Sequence, residues 1–133
     1  MIKNIIALSA LLFAFTSPIA QASKKIELCE ETSATNIELS QCLDGVKSAV
    51  DRELQTWVNN QNFILEEIEL STGRGSALMM FKRSQSNFIT FRENNCRWQY
   101  LALSPGTGAG SAYKKCYINV SLSRIKELTQ LNE

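Results

Sequence analysis

Four cysteines, Cys29, Cys42, Cys96 and Cys116, constrain the fold of this chain more than any other feature. An even number of cysteines in a short chain with an export-type leader reads as a two-disulfide framework. Metal binding is the competing use of cysteine. The chain has no CxxC pair and no histidine, the usual marks of a zinc site, so the disulfide reading is favoured. Sequence alone leaves three pairings open. Cys29–Cys42 and Cys96–Cys116 are favoured, because each closes a local turn without demanding a particular arrangement of helices. Crosslinks closing loops of this size contribute about 3 kcal/mol each in the chain-entropy model. Against a total stability of roughly 5–15 kcal/mol, loss of either would threaten the fold.

The leader reading rests on Met1 to Ala22. Lys3 gives a positive start, Ile5 to Phe15 is a short apolar core, and Ala20-Gln21-Ala22 is a small-x-small cleavage site. The apolar run is shorter than the roughly 20 residues a membrane span needs. No cysteine lies at the cut, so a lipid anchor is not expected. Cleavage after Ala22 would leave residues 23–133, a single domain of modest core, soluble and periplasmic or secreted. Removing Lys3 would take the formal charge of +1 to zero. A neutral chain has no electrostatic basis for gripping nucleic acid or an anionic membrane.

Apolar spacing predicts an all-α domain of three main helices in up-down-up order. Ser23 to Ser33 is polar and expected to be irregular. Thr35 and Glu38 have the capping-box spacing that opens a helix. Apolar residues from Leu39 to Ile68 then recur at gaps of mostly three and four. Gly45 weakens this helix by about 1 kcal/mol relative to alanine, and the polar run Asn59 to Asn62 is where it would bend or break. Glu66, Glu67 and Glu69 precede a turn at Ser71 to Ser76. Ile64 to Phe81 is read as helical on both sides of that turn, with a β-hairpin as the alternative. A second helix runs from Ser76 to about Leu103, stopped by Pro105. Within it Phe88 and Phe91 sit three apart, with Phe81 seven before the first and Trp98 seven after the second. Ser104 to Ala112, with three glycines, is a loop, and a third helix covers Tyr113 to Leu131.

Enzyme chemistry is disfavoured. The usual general base is missing with histidine, and paired cysteines cannot be nucleophiles. A two-carboxylate glycosidase is formally open, but acids on exposed helix faces ordinarily serve solubility. No cofactor and no metal site is indicated.

The pattern of Gln85, Phe88, Phe91, Arg92-Glu93 and Cys96, followed by Gly110-Ser111, Cys116, Arg124 and Leu128, resembles the LprI-type lysozyme inhibitor family of secreted bacterial proteins. The paired Cys29 and Cys42 followed by Asp51-Arg52-Glu53-Leu54 match its first half. Phe88 and Trp57 stand where the family is expected to carry Trp and Tyr. The resemblance implies a periplasmic inhibitor of lysozyme-type peptidoglycan hydrolases that blocks the substrate cleft sterically and performs no chemistry. A protein partner is thus expected, with an immunity protein against a peptidoglycan-degrading toxin or an envelope assembly accessory as the alternatives. A neutral surface gives no steering towards a basic lysozyme, unless the acids cluster as Glu66 to Glu69 do.

The charged residues of the pattern have two readings. Arg92, Glu93, Arg124 and Asp51 would pair across the bundle and fix helix register, or Arg92 would meet the partner. For partner contact the favoured stretch is the nine-residue loop, longer than a helix–helix corner requires. Its candidate residues are Ser104, Thr107, Gly110 and Ser111, with Trp98 beside it as an aromatic anchor.

Overall fold

The computed structural model describes residues 18–132, with side chains from Gln21 onward. The apolar leader segment through residue 17 lies outside the described residues. Four helices follow one another: α1, Pro18–Thr32; α2, Asn36–Thr72; α3, Ser76–Leu103; and α4, Ala109–Gln130. Among the described residues there is no strand, and no helix is long and apolar enough to cross a membrane.

The three expected helices are α2, α3 and α4, and α1 is a correction. Ser23 to Ser33 was expected to be irregular because it is polar, yet it continues a helix as far as Thr32. Ala22, Ile26 and Cys29 recur at four and three residues and are all buried in the main core. That narrow stripe, of which Ile26 and the disulfide-bonded Cys29 lie beyond the expected cut, suffices to hold an otherwise polar helix. The helix also runs through the expected cleavage position, where Ala22 is 6% exposed.

Helix α2 opens as the capping box predicts: the Thr35 hydroxyl accepts from the Glu38 N–H at 3.2 Å, and the Glu38 carboxylate accepts from the Ala34 N–H at 2.8 Å. It does not break at Asn59 to Asn62. There the amides are used along and beside the helix, Gln55 donating to Asn59 at 2.7 Å and Asn132 donating to Gln61 at 3.4 Å. The hairpin alternative is also overturned, because α2 continues to Thr72. Gly73 then takes φ +70°, and its N–H closes on Glu69 O at 2.8 Å, the left-handed stop that glycine allows.

Helix α3 ends before Pro105, as expected. The loop after it is shorter than the sequence suggests, because α4 begins a turn early, at Ala109 rather than Tyr113. Gly110 and Ser111 therefore lie in the first turn of a helix. Gly110 faces α2 there, where a Cβ would stand in ordinary contact with the Ser40 hydroxyl at 3.5 Å. Ser111 is buried and donates back to Gly108 O at 3.1 Å.

Cross-chain contacts give the directions. Asn36 donates to Thr107 at 2.9 Å, Lys114 donates to Ser40 O at 3.0 Å, and Asn132 reaches Gln61, so α2 and α4 run parallel. The intervening α3 runs antiparallel to both, and α1 packs on α2 and α4. Leu43, Val50, Ile118, Ile125 and Leu128 fill the centre, all nearly or wholly inaccessible. At 1.5 Å per residue α2 is roughly 55 Å long and α4 roughly 33 Å. Past Gln61, α2 and the facing turns of α3 therefore project as a two-helix hairpin without α4 beneath them.

Candidate functional site: the crosslinked corner and its arginine layer

Both crosslinks gather at the end of the bundle where α3 turns into α4. Cys29 is bonded to Cys42, with Cα atoms 5.7 Å apart, and Cys96 to Cys116, with Cα atoms 5.5 Å apart. The local pairing is thus the one the fold contains, and no cysteine among the described residues is free. The amides of Asn95 and Gln99 point at the Cys116 sulfur, at 3.7 and 3.3 Å.

Beside this crosslink lies a layer of polar side chains that joins three helices. The Arg92 guanidinium of α3 lies 3.8 Å from the ring centre of Tyr117 and donates to the Ser121 hydroxyl at 2.9 Å. Its distance to Asp51 is 3.9 Å, a loose ion pair. Asp51 is held more tightly by others, accepting from Tyr117 at 2.9 Å and from Lys47 at 2.8 Å. Burial alone would lower the Lys47 pKa, but the hydrogen bond and charge of Asp51 more than offset it and raise it. Burial and the bond to Asp51 push the Tyr117 hydroxyl up as well. Arg92 is only 9% exposed, and its Nε finds no partner among the described residues.

The other two charged residues expected in a cross-bundle pair are engaged elsewhere. Glu93 accepts from the Tyr113 hydroxyl and from Arg97, the latter at 3.1 Å. The Tyr113 bond, then Arg97, hold its carboxyl below the usual range, while burial and Glu93 push the Tyr113 hydroxyl up to about 12. Arg124 donates to Glu127 at 2.7 Å, to Gln85 at 3.2 Å and to Ser84 at 3.3 Å, with Phe81 and Phe88 flanking its guanidinium. Arg124 thus tells α3 from other neighbours through neutral groups, not through Glu93 or Asp51. Sequence reasoning missed Tyr113, Tyr117 and Ser121. Their spacing of four and four down α4, leading towards Arg124, is the signal that would have marked a polar seam.

The outer surface of the corner is different in kind. Ser104 to Thr107 are exposed, while Ser111 is buried and Gly110 half-buried. Of the residues expected to touch a partner, Ser104, Thr107 and Trp98 are therefore accessible, and Arg92 and Ser111 are interior. Trp98 stands 59% exposed and Leu101 61% exposed on the last turns of α3. A shallow cavity of ≈ 290 Å³, lined by Arg97, Tyr100, Leu101 and Tyr113, opens beside them. Thr107 is anchored by Asn36, and the Gly106 N–H reaches back to Leu103 O at 2.8 Å. A Cβ on Gly106 would lie 2.7 Å from that same oxygen, so the turn requires glycine there. The result is a short, braced corner carrying exposed aromatic and apolar side chains. Such a surface suits a protein contact, where anchors of this kind carry most of the energy.

No curated protein and no solved structure matches the chain. The family model described as lysozyme inhibitor LprI matches residues 29–128, the stretch from the first crosslinked cysteine to the buried Leu128. The chain belongs to the LprI family of lysozyme inhibitors.

Proposed function

We propose that this protein is exported to the periplasm, with a leader removed after Ala22, and there inhibits lysozyme-type peptidoglycan hydrolases by occluding their substrate cleft. The family match carries the target class. The observation that supports the mode of binding is the corner at Ser104 to Thr107, exposed, glycine-turned and braced about two helical turns back on either side by the Cys96–Cys116 crosslink. A pre-organised protrusion loses little conformational freedom on binding. Trp98 and Leu101 supply the apolar contact, and Ser104 and Thr107 supply hydroxyls for the polar groups of a cleft. The protein contributes no chemical step in this mechanism, only occupancy.

The test is clearance of a peptidoglycan suspension by lysozyme, with and without the purified protein. Equimolar protein should slow clearance, and Trp98→Ala or Ser104→Arg should restore it with an unchanged melting temperature. Ser111→Arg is unsuitable as a test, since burying an arginine there would disturb the fold. No slowing at a large excess of protein would discard inhibition of that enzyme. Inhibition that survives both corner variants would discard the corner as the contact.

A further inference from the structure

The outward face of α3 carries a pattern of which the inhibitor reading uses only the last two members, Trp98 and Leu101. Ser84, Asn87, Phe91, Asn94, Trp98 and Leu101 follow one another at alternating steps of three and four, so they share one side of the helix, and all are exposed. Phe91 is 58% and Trp98 59% exposed, both large rings left in solvent. No member of this stripe is charged, although 20% of the chain is. The Trp98 ring has a set orientation, its Nε1 donating to Asn95 Oδ1 at 3.4 Å.

We propose that this face is a binding platform for an extended, uncharged β-1,4-linked N-acetylhexosamine chain. Phe91 and Trp98 lie two helical turns apart on the same side, roughly 10.5 Å along the axis. An extended β-1,4 chain turns each sugar over relative to the last, so equivalent faces recur once per disaccharide, over a comparable length. Each ring can therefore stack against the C–H face of every second sugar. Asn87 and Asn94 sit one turn before each ring, and their amides can both donate to and accept from the hydroxyl and acetamide groups of the same sugars.

Charge selects among occupants. An uncharged stripe complements a neutral polymer, whereas nucleic acid or an anionic lipid surface would require lysines or arginines along it. A partner helix would require apolar anchors at successive steps of three and four. Here Ser84, Asn87 and Asn94 occupy alternate steps, and a helix laid on them would strip their water without replacing its hydrogen bonds. The proposal does not depend on lysozyme inhibition, since it concerns the glycan alone.

The experiment is isothermal titration of the full protein with chitohexaose, with no enzyme present, followed by mapping of backbone amide shifts. Saturable binding with shifts confined to residues 84–101 is expected. Phe91→Ala should weaken it by about tenfold, the loss of one stacking contact, while leaving lysozyme inhibition and the melting temperature unchanged. Cosedimentation with chitin and with peptidoglycan sacculi separates the sources. Retention by both is expected from recognition of the shared glycan backbone, whereas retention by sacculi alone would overturn it in favour of the peptide stems. Absence of binding, shifts elsewhere, or concentration-dependent self-association lost with Phe91→Ala would also overturn the proposal, the last assigning the face to a second copy of the chain.

Discussion

The two ends of the bundle make the same turn, helix to glycine to helix, with opposite results. At the α3–α4 corner the turn is held by a crosslink two helical turns back, by Asn36 on Thr107, and by Tyr113 on Glu93. At the α2–α3 tip the turn rests on the Gly73 cap and on Leu78, the buried residue nearest it. The ion pair across the tip, Lys82 to Glu66, is 3.7 Å long with both side chains about half exposed, a geometry worth little. Exposed apolar side chains occur at both, Trp98 and Leu101 at one and Phe63, Leu70 and Met79 at the other. Exposure alone therefore does not pick out an interface. What differs is rigidity, and a rigid surface binds with less ordering cost.

Removing the corner crosslink should be the largest perturbation. Cys96→Ser with Cys116→Ser is expected to cost about 3 kcal/mol, read from urea unfolding, and to weaken inhibition along with it. A variant that inhibits normally while melting earlier would show that the brace serves only stability. Next in size is the arginine layer. Arg92→Met removes the guanidinium that Ser121 and Asp51 face, at a cost of about 2 kcal/mol, below the usual range for a broken buried pair because Asp51 keeps Lys47 and Tyr117.

The tip is expected to respond more weakly. Gly73→Ala forces a side chain into a positive φ and should cost about 1 kcal/mol, with inhibition unchanged. Leu70→Ser, at an 81% exposed position, should change stability by less than about 0.5 kcal/mol. If it abolishes inhibition, the acidic tip with Glu66, Glu67 and Glu69 is the lysozyme-facing end, and the comparison reverses.

The smallest effect is a pH dependence at the corner. Tyr113 titrates higher in the fold than when unfolded, so its contribution is fully present below pH 10 and is lost as pH rises through about 12. Glu93 is displaced the other way: its contribution is present above the ordinary carboxylate range and is lost as acid protonates it in the fold. Tyr113→Phe should lower the neutral melting temperature modestly, by loss of the bond to Glu93, and flatten the alkaline decline relative to wild type. An equally steep decline would locate the alkaline sensitivity at Lys47 and Tyr117, which shift in the same direction.

Much of this architecture was legible from periodicity. The starts and ends of α2 and α3 followed from Thr35 with Glu38, from the glycines at 73 and 75, and from Pro105. The local crosslinks followed from loop closure. Helix α1 was not legible, because a helix buried along a stripe as narrow as Ala22, Ile26 and Cys29 looks polar on any average. The early start of α4 was hidden for another reason: glycine and serine normally argue against helix, yet Ala109, Gly110 and Ser111 form its first turn, with Ala109 and Ser111 buried. The arginine partners were the least legible. Charge suggested Arg124 with Glu93 or Asp51, but helix rotation hands Arg124 to Gln85 and Ser84, and hands Glu93 to a tyrosine.

Because both bridges lie at one end, oxidation state is written unevenly along the molecule. A thiol reductant reaching Cys96–Cys116 would free the carboxy-terminal turns of α3 from α4 while the buried stretch from Val50 to Leu128 still held the helices together. Under the proposed mode of binding, recognition would fail before the domain melted. Such a protein would be competent only where its surroundings keep sulfur paired, and any copy stranded in a reducing compartment would be folded in its middle and silent at its corner.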